Sequence, residues 1–220
     1  MKTAEIVIVI FYMSLIAFCI IIGLYRKAIS EYTFFVLTLL LGVTFVVESV
    51  GYFNLWTKNK VAGWIFLLFL PVQYSLYALY FKNIIKNDKI KKTILISVPV
   101  LLLWNICNTV FFQSFLMLNT YAILLACLLY CTWSSIYLIQ LLRGIGDENL
   151  AHNPHFWICT GTLFFYSVSF FIIAFIQIIN KEDHGLASQL WFLIRALNII
   201  LYGLFAYGFI CQIKRQNSII

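Results

Sequence analysis

The chain alternates long apolar runs with short polar connections. The apolar runs extend roughly from Glu5 to Tyr25, Tyr32 to Tyr52, Val61 to Phe81, Thr93 to Phe112, Leu118 to Leu142, Pro154 to Ile179 and Ala187 to Gln212. Each has the ~20 residues that a membrane-spanning helix needs. Spanning β-strands would be about 10 residues long and would alternate in polarity. These runs are longer and apolar on most faces, so the pattern predicts seven transmembrane helices in one bundle over residues 1–220. The apolar stretch from Ile6 to Leu24 is followed by Arg26 and Lys27 and ends in no Ala-x-Ala pattern. It therefore reads as a retained first helix and not a cleaved signal peptide.

Composition agrees with an all-α, polytopic membrane protein. Of 220 residues, 63% are hydrophobic and 10% are charged, against roughly 25% charged in a soluble domain. That excludes a soluble globular enzyme, and the high hydrophobicity excludes disorder. The polar connections are too short for a soluble domain. Any catalytic output is expected to reside in another chain.

The net charge of +7 reads as topology and not as a nucleic-acid footprint. Ten basic residues fall on one side: Arg26, Lys27, Lys82, Lys86, Lys89, Lys91, Lys92, Arg143, Lys214 and Arg215. Lys2, Lys58, Lys60 and Lys181 fall on the other. The basic side is cytoplasmic by the positive-inside rule, which puts the N-terminus outside and the C-terminus inside a bacterial inner membrane. Lys82, Lys86, Lys89, Lys91 and Lys92 form the densest basic run. It reads as a loop touching anionic lipid, or as a docking site for a cytoplasmic signalling protein.

Charges inside the spans are the first functional candidates, because each costs roughly 2.5–3.5 kcal/mol at the bilayer centre. Glu48 in the second span and Arg195 in the seventh both fall near the outer surface. Their depths permit an ion pair, which would either fix helix packing or answer to a ligand. Gln73 and Tyr77 share one face of the third span, Asn105 and Asn108 one face of the fourth, and Arg195 and Asn198 one face of the seventh. These seven residues are the candidate ligand-binding set, lining an outward-facing polar cavity. The competing reading is interhelical hydrogen-bond glue, worth ~0.6 kcal/mol per contact.

Pro71 and Pro99 interrupt the third and fourth spans, where neighbouring groups can satisfy the freed carbonyls. Asn153-Pro154 reads as N-cap followed by first helical position. His152 and His155 beside it, near Asp147 and Glu148, read as a hydrated cap and not a zinc site. His184 is expected in a turn over residues 180–185. The six cysteines all fall within predicted helices and read as small packing residues. No cofactor or metal is expected. HExxH, GxSxG and Asp-rich metal motifs are missing, so an enzyme is not expected.

Seven helices invite family comparisons. A retinal pigment needs a lysine within the seventh helix, and here that helix offers Arg195. The motifs of G-protein-coupled receptors are missing after the third span and in the seventh. Small sugar transporters need two similar three-helix halves, and Pro71 has no counterpart in the seventh span. The segments Val47-Glu48-Ser49-Val50-Gly51-Tyr52 and Asn153-Pro154-His155-Phe156-Trp157 resemble small uncharacterised bacterial seven-helix proteins. Those proteins are similar to the membrane sensory regions of histidine kinases. The resemblance implies a sensor or regulatory membrane protein signalling through a separate cytoplasmic partner. A small-solute transporter and a ligand-free membrane scaffold are the alternatives.

Overall fold

The computed structural model describes residues 2–24, 31–57, 62–112, 119–144, 150–182 and 184–217. The expectations placed on Tyr25, Arg26, Lys27, Lys58, Lys60, Asp147 and Glu148 lie outside the described residues. Seven α-helices and no strand occur among the described residues: α1 (Lys2–Leu24), α2 (Tyr32–Thr57), α3 (Ala62–Ile84), α4 (Asp88–Phe111), α5 (Thr120–Gly144), α6 (Pro154–Glu182) and α7 (His184–Asn217). A short 3-10 turn, Leu150–His152, precedes α6. Among the described residues six of these helices are long and apolar enough to cross a membrane, and α3 falls outside that set. The run of α3 mixes Pro71, Gln73, Ser75 and three tyrosines among its apolar residues.

Several boundaries differ from the sequence reading: α2 and α7 each run five residues further, to Thr57 and Asn217, and two other differences have a local cause. α4 begins at Asp88, five residues before Thr93, because Asn87 caps it. The Asn87 Oδ1 accepts from the backbone N–H groups of Lys89 at 2.9 Å and Ile90 at 3.4 Å, which satisfies donors that a helix start leaves open. Lys89, Lys91 and Lys92 are therefore helical, while Lys86 stays in the short connection before Asn87. The turn expected over residues 180–185 is likewise mostly helix: α6 runs to Glu182 and α7 starts at His184.

The chain divides into two compact units, residues 1–31 with 127–220, and residues 32–126. In the first, α1 packs on α7 and α6 packs on α7. Glu5 meets Arg195 and Tyr12 stacks on Tyr202, so numbering rises together and α1 and α7 are parallel. α6 runs antiparallel to α7, with Gly161 against Leu204 and Gly208 against Ile158 and Pro154. Cys131 points its thiol at the Leu163 carbonyl, 3.9 Å away, and the Tyr130 and Tyr166 rings lie 4.4 Å apart. α5 is thus antiparallel to α6. Glycine sets the spacing, since packing and small residues hold helices together where lipid is as apolar as leucine.

In the second unit, α2 packs on α3 and α3 on α4. α3 and α4 are antiparallel, joined by Tyr74 to Ser97 and by Leu67 to Asn105. Ser97 donates to the Ile94 carbonyl at 2.6 Å, so the Tyr74 hydroxyl is the donor in its 2.6 Å bond to Ser97. Thr38, Thr44 and Ser49 of α2 donate to carbonyls one turn back, at 2.7–2.8 Å. That consumes their polarity inside the helix. Large apolar side chains such as Val7, Ile10, Ile21, Leu68 and Phe111 stay exposed, as lipid-facing residues do.

Candidate functional site

In the second unit the polar residues converge on Asn119, a residue the sequence reading did not single out. Asn119 sits at the start of α5, where its carbonyl accepts from the Ile123 N–H at 3.1 Å. Its side-chain amide donates to the Asn105 Oδ1 at 2.6 Å, the Asn105 carbonyl at 3.1 Å and the Thr109 Oγ1 at 3.1 Å. Its Oδ1 accepts from the Asn108 amide. Asn105, Asn108, Thr109 and Asn119 are all buried. Asn119 lies at the edge of an apolar run, so periodicity alone gave it no weight. Its signal was an Asn-Thr pair before a long helix.

Asn105 has a second task. Pro71 has no N–H, so the carbonyl four residues back, that of Leu67, loses its helical donor. The Asn105 amide donates to that carbonyl at 3.3 Å. One asparagine thus completes the backbone of α3 and anchors the start of α5. The arrangement accounts for Asn105 and Asn108 as interhelical bonding within this unit.

The other candidates of this unit differ in surroundings. Tyr77 is buried and stacks on Phe81, centroids 6.2 Å apart. Gln73 is half-buried and lies six residues from Leu67, about 9 Å along α3 from the level of Asn105. Glu48 is half-buried on α2.

In the first unit the carboxylate that Arg195 meets is Glu5, with Nη1 and Oε2 3.5 Å apart and both side chains partly exposed. In the sequence Glu5 stands only at the boundary of the first apolar run. Asn198 is buried one turn along α7.

The other end of α7 holds a cluster that the sequence reading misjudged. His155 is not a hydrated cap residue: it is 7% exposed, and its Nε2 lies 3.5 Å from the Glu31 Oε1. The buried Gln212 of α7 donates its amide to the Glu31 Oε2. Tyr137 of α5 approaches the imidazole edge-on, centroids 6.1 Å apart. The capping role of Asn153 stands, since its Oδ1 accepts from the His155 N–H at 3.0 Å and from the Tyr137 hydroxyl at 3.4 Å. The carbonyl of Ala151 takes the Trp157 indole N–H at 2.9 Å and the Cys211 thiol at 3.7 Å. Glu31 thereby ties together the start of α6 and the end of α7. Its importance was invisible in sequence because both partners, His155 and Gln212, lie more than 100 residues away from it.

Among the described residues no three His, Cys, Asp or Glu side chains gather as a metal-ligand set. Comparison with family models, with curated proteins and with solved structures finds no match for this chain.

Proposed function

We propose that this multi-pass membrane protein is a sensor or regulator, in which α7 relays a change between two charged contacts. The observation that carries the reading is the placement of those contacts. Parallel α1 and α7 share Glu5–Arg195 towards one end, and Glu31, the residue before α2, meets α7 through Gln212 at the other. Arg195 and Gln212 are 17 positions apart in one continuous helix, about 25 Å along its axis. A stimulus that pulls Arg195 from Glu5, with Asn198 one turn away, would shift α7 and loosen the Glu31–His155–Gln212 contact. Such a stimulus must bind the two arrangements with different affinity.

In this reading the chain crosses a bacterial inner membrane seven times, α3 included, with its N-terminus outside. The parallel run of α1 and α7 supports an odd number of crossings. The output passes to a cytoplasmic protein that meets the end of α7, where Lys214 and Arg215 are exposed. Lys82 and Lys86, at the α3–α4 connection, form a second docking surface.

The relay is tested without knowing the stimulus. Glu5→Gln and Arg195→Gln variants in lipid nanodiscs are compared with wild type by hydrogen exchange. Faster exchange at residues 31–34 and 150–157, far from the substitution, supports the relay. Faster exchange confined to residues near 5 and 195 refutes it and leaves a packing contact only.

A further inference from the structure

The cytoplasmic reading of the lysine run treats its five members alike, but the structure separates them. Lys91 is tied to Asp88, Nζ to Oδ1 2.9 Å, on one side of α4. Lys89 and Lys92 are exposed on a different face. Followed along the helix at three- and four-residue spacing, that face continues as Ile96, Val100, Leu103, Cys107 and Val110. All five are exposed, Ile96 at 64% and Leu103 at 63%. The opposite face holds the buried Ile94, Leu101, Asn105 and Asn108. One stripe therefore bears two ammonium groups at its end and apolar side chains for the rest of its length. Lys92 to Val110 is 18 positions, about 27 Å of helix, close to the ~30 Å hydrocarbon thickness.

Asp88, four residues before Lys92, is engaged by Lys91, so Lys89 and Lys92 gain little from the helix itself. Cations in a first turn oppose the helix macrodipole, and like charges three residues apart repel. The N–H groups of Lys89 and Ile90 are already occupied by the Asn87 cap. An anion at this place is therefore held by the two ammonium groups, and the apolar stripe below them needs a partner with tails.

We propose that Lys89 and Lys92 form a headgroup site for an anionic phospholipid whose acyl chains lie along Ile96, Val100 and Leu103. The charge selects the headgroup, and the length and exposure of the stripe select a lipid over an acidic protein, which would need the lysines alone. The site stands independently of the relay through α7.

The test uses the purified full chain, delipidated in a neutral detergent, titrated with dioleoyl phosphatidylglycerol or dioleoyl phosphatidylcholine. Binding is read by native mass spectrometry and by thermal shift. Wild type is expected to prefer the phosphatidylglycerol, each lysine contributing about fivefold to affinity. The Lys89→Gln/Lys92→Gln double variant is expected to lose that preference, about 25-fold, with unchanged melting in phosphatidylcholine. Lys91→Gln is expected to keep it. Equal binding of the two lipids by wild type overturns the proposal, as does a Lys91→Gln loss as large as the double variant's. An equal shift produced by glycerol phosphate or by a poly-glutamate peptide also overturns it, and would indicate a free anion or an acidic protein partner.

Discussion

Removing Asn105 is expected to cost stability in a way that depends on Pro71. In the wild type, Asn105→Ala deletes the donor to the Leu67 carbonyl, 3.3 Å away, and the acceptor of the 2.6 Å bond from Asn119. Asn119 keeps the Asn105 backbone carbonyl and Thr109 Oγ1 as acceptors, so its loss is partial. The Leu67 carbonyl has no such reserve, because its helical donor is absent at Pro71. An unsatisfied buried group costs about 1–3 kcal/mol, while measured interhelical bonds in a membrane average ~0.6 and reach ~1.7 kcal/mol. The expected total is about 1–2 kcal/mol, roughly half of it at Leu67. In a Pro71→Ala background the restored N–H serves that carbonyl, and Asn105→Ala should cost about 0.5–1 kcal/mol less. The assay is a double-mutant cycle by reversible unfolding in mixed micelles. Strictly additive costs would refute the argument that Asn105 completes the α3 backbone.

Other expectations follow from single contacts. A Cβ at Gly208 would lie 2.9 Å from the Ile158 Cγ1 and 3.0 Å from the Pro154 carbonyl oxygen, whereas one at Gly203 would meet nothing within 4 Å. Gly208→Ala should therefore destabilise by about 1–3 kcal/mol through overpacking. Gly203→Ala should be neutral or stabilising by up to ~1 kcal/mol, and equal melting shifts for the two would sink the packing account. Asn119→Ala should cost about 1–3 kcal/mol by removing its buried bonds to Asn108, Asn105 and Thr109, against near zero for Thr132→Ala, whose exposed hydroxyl bonds to Leu128 of its own helix; unfolding curves of the two variants decide. Glu31→Gln and His155→Gln should each speed hydrogen exchange at the start of α6, with the double variant little worse than either single one. Fully additive rates would show that the two side chains act separately.

The helical class and the membrane setting were legible in the order of residues because lipid imposes length and hydrophobicity on each span separately. The start of α6 was legible for a similar reason: Asn153 and Pro154 act on the nearest turn. The start of α4 was misread because the lysines were counted as solvent-seeking, while the Asn87 cap, a local bond, carries the helix through them. Polar side chains inside spans were also visible, but their partners were not. Arg195 meets Glu5 across 190 positions, and His155 meets Glu31 across 124. Such pairings depend on which helices lie side by side and in which direction, and hydrophobic periodicity is silent on both when helices are apolar on most faces. Sequence alone therefore determined which segments form helices. Tertiary structure decided which charges meet, since two groups far apart in sequence find one another only after the packing of whole helices has set their distance.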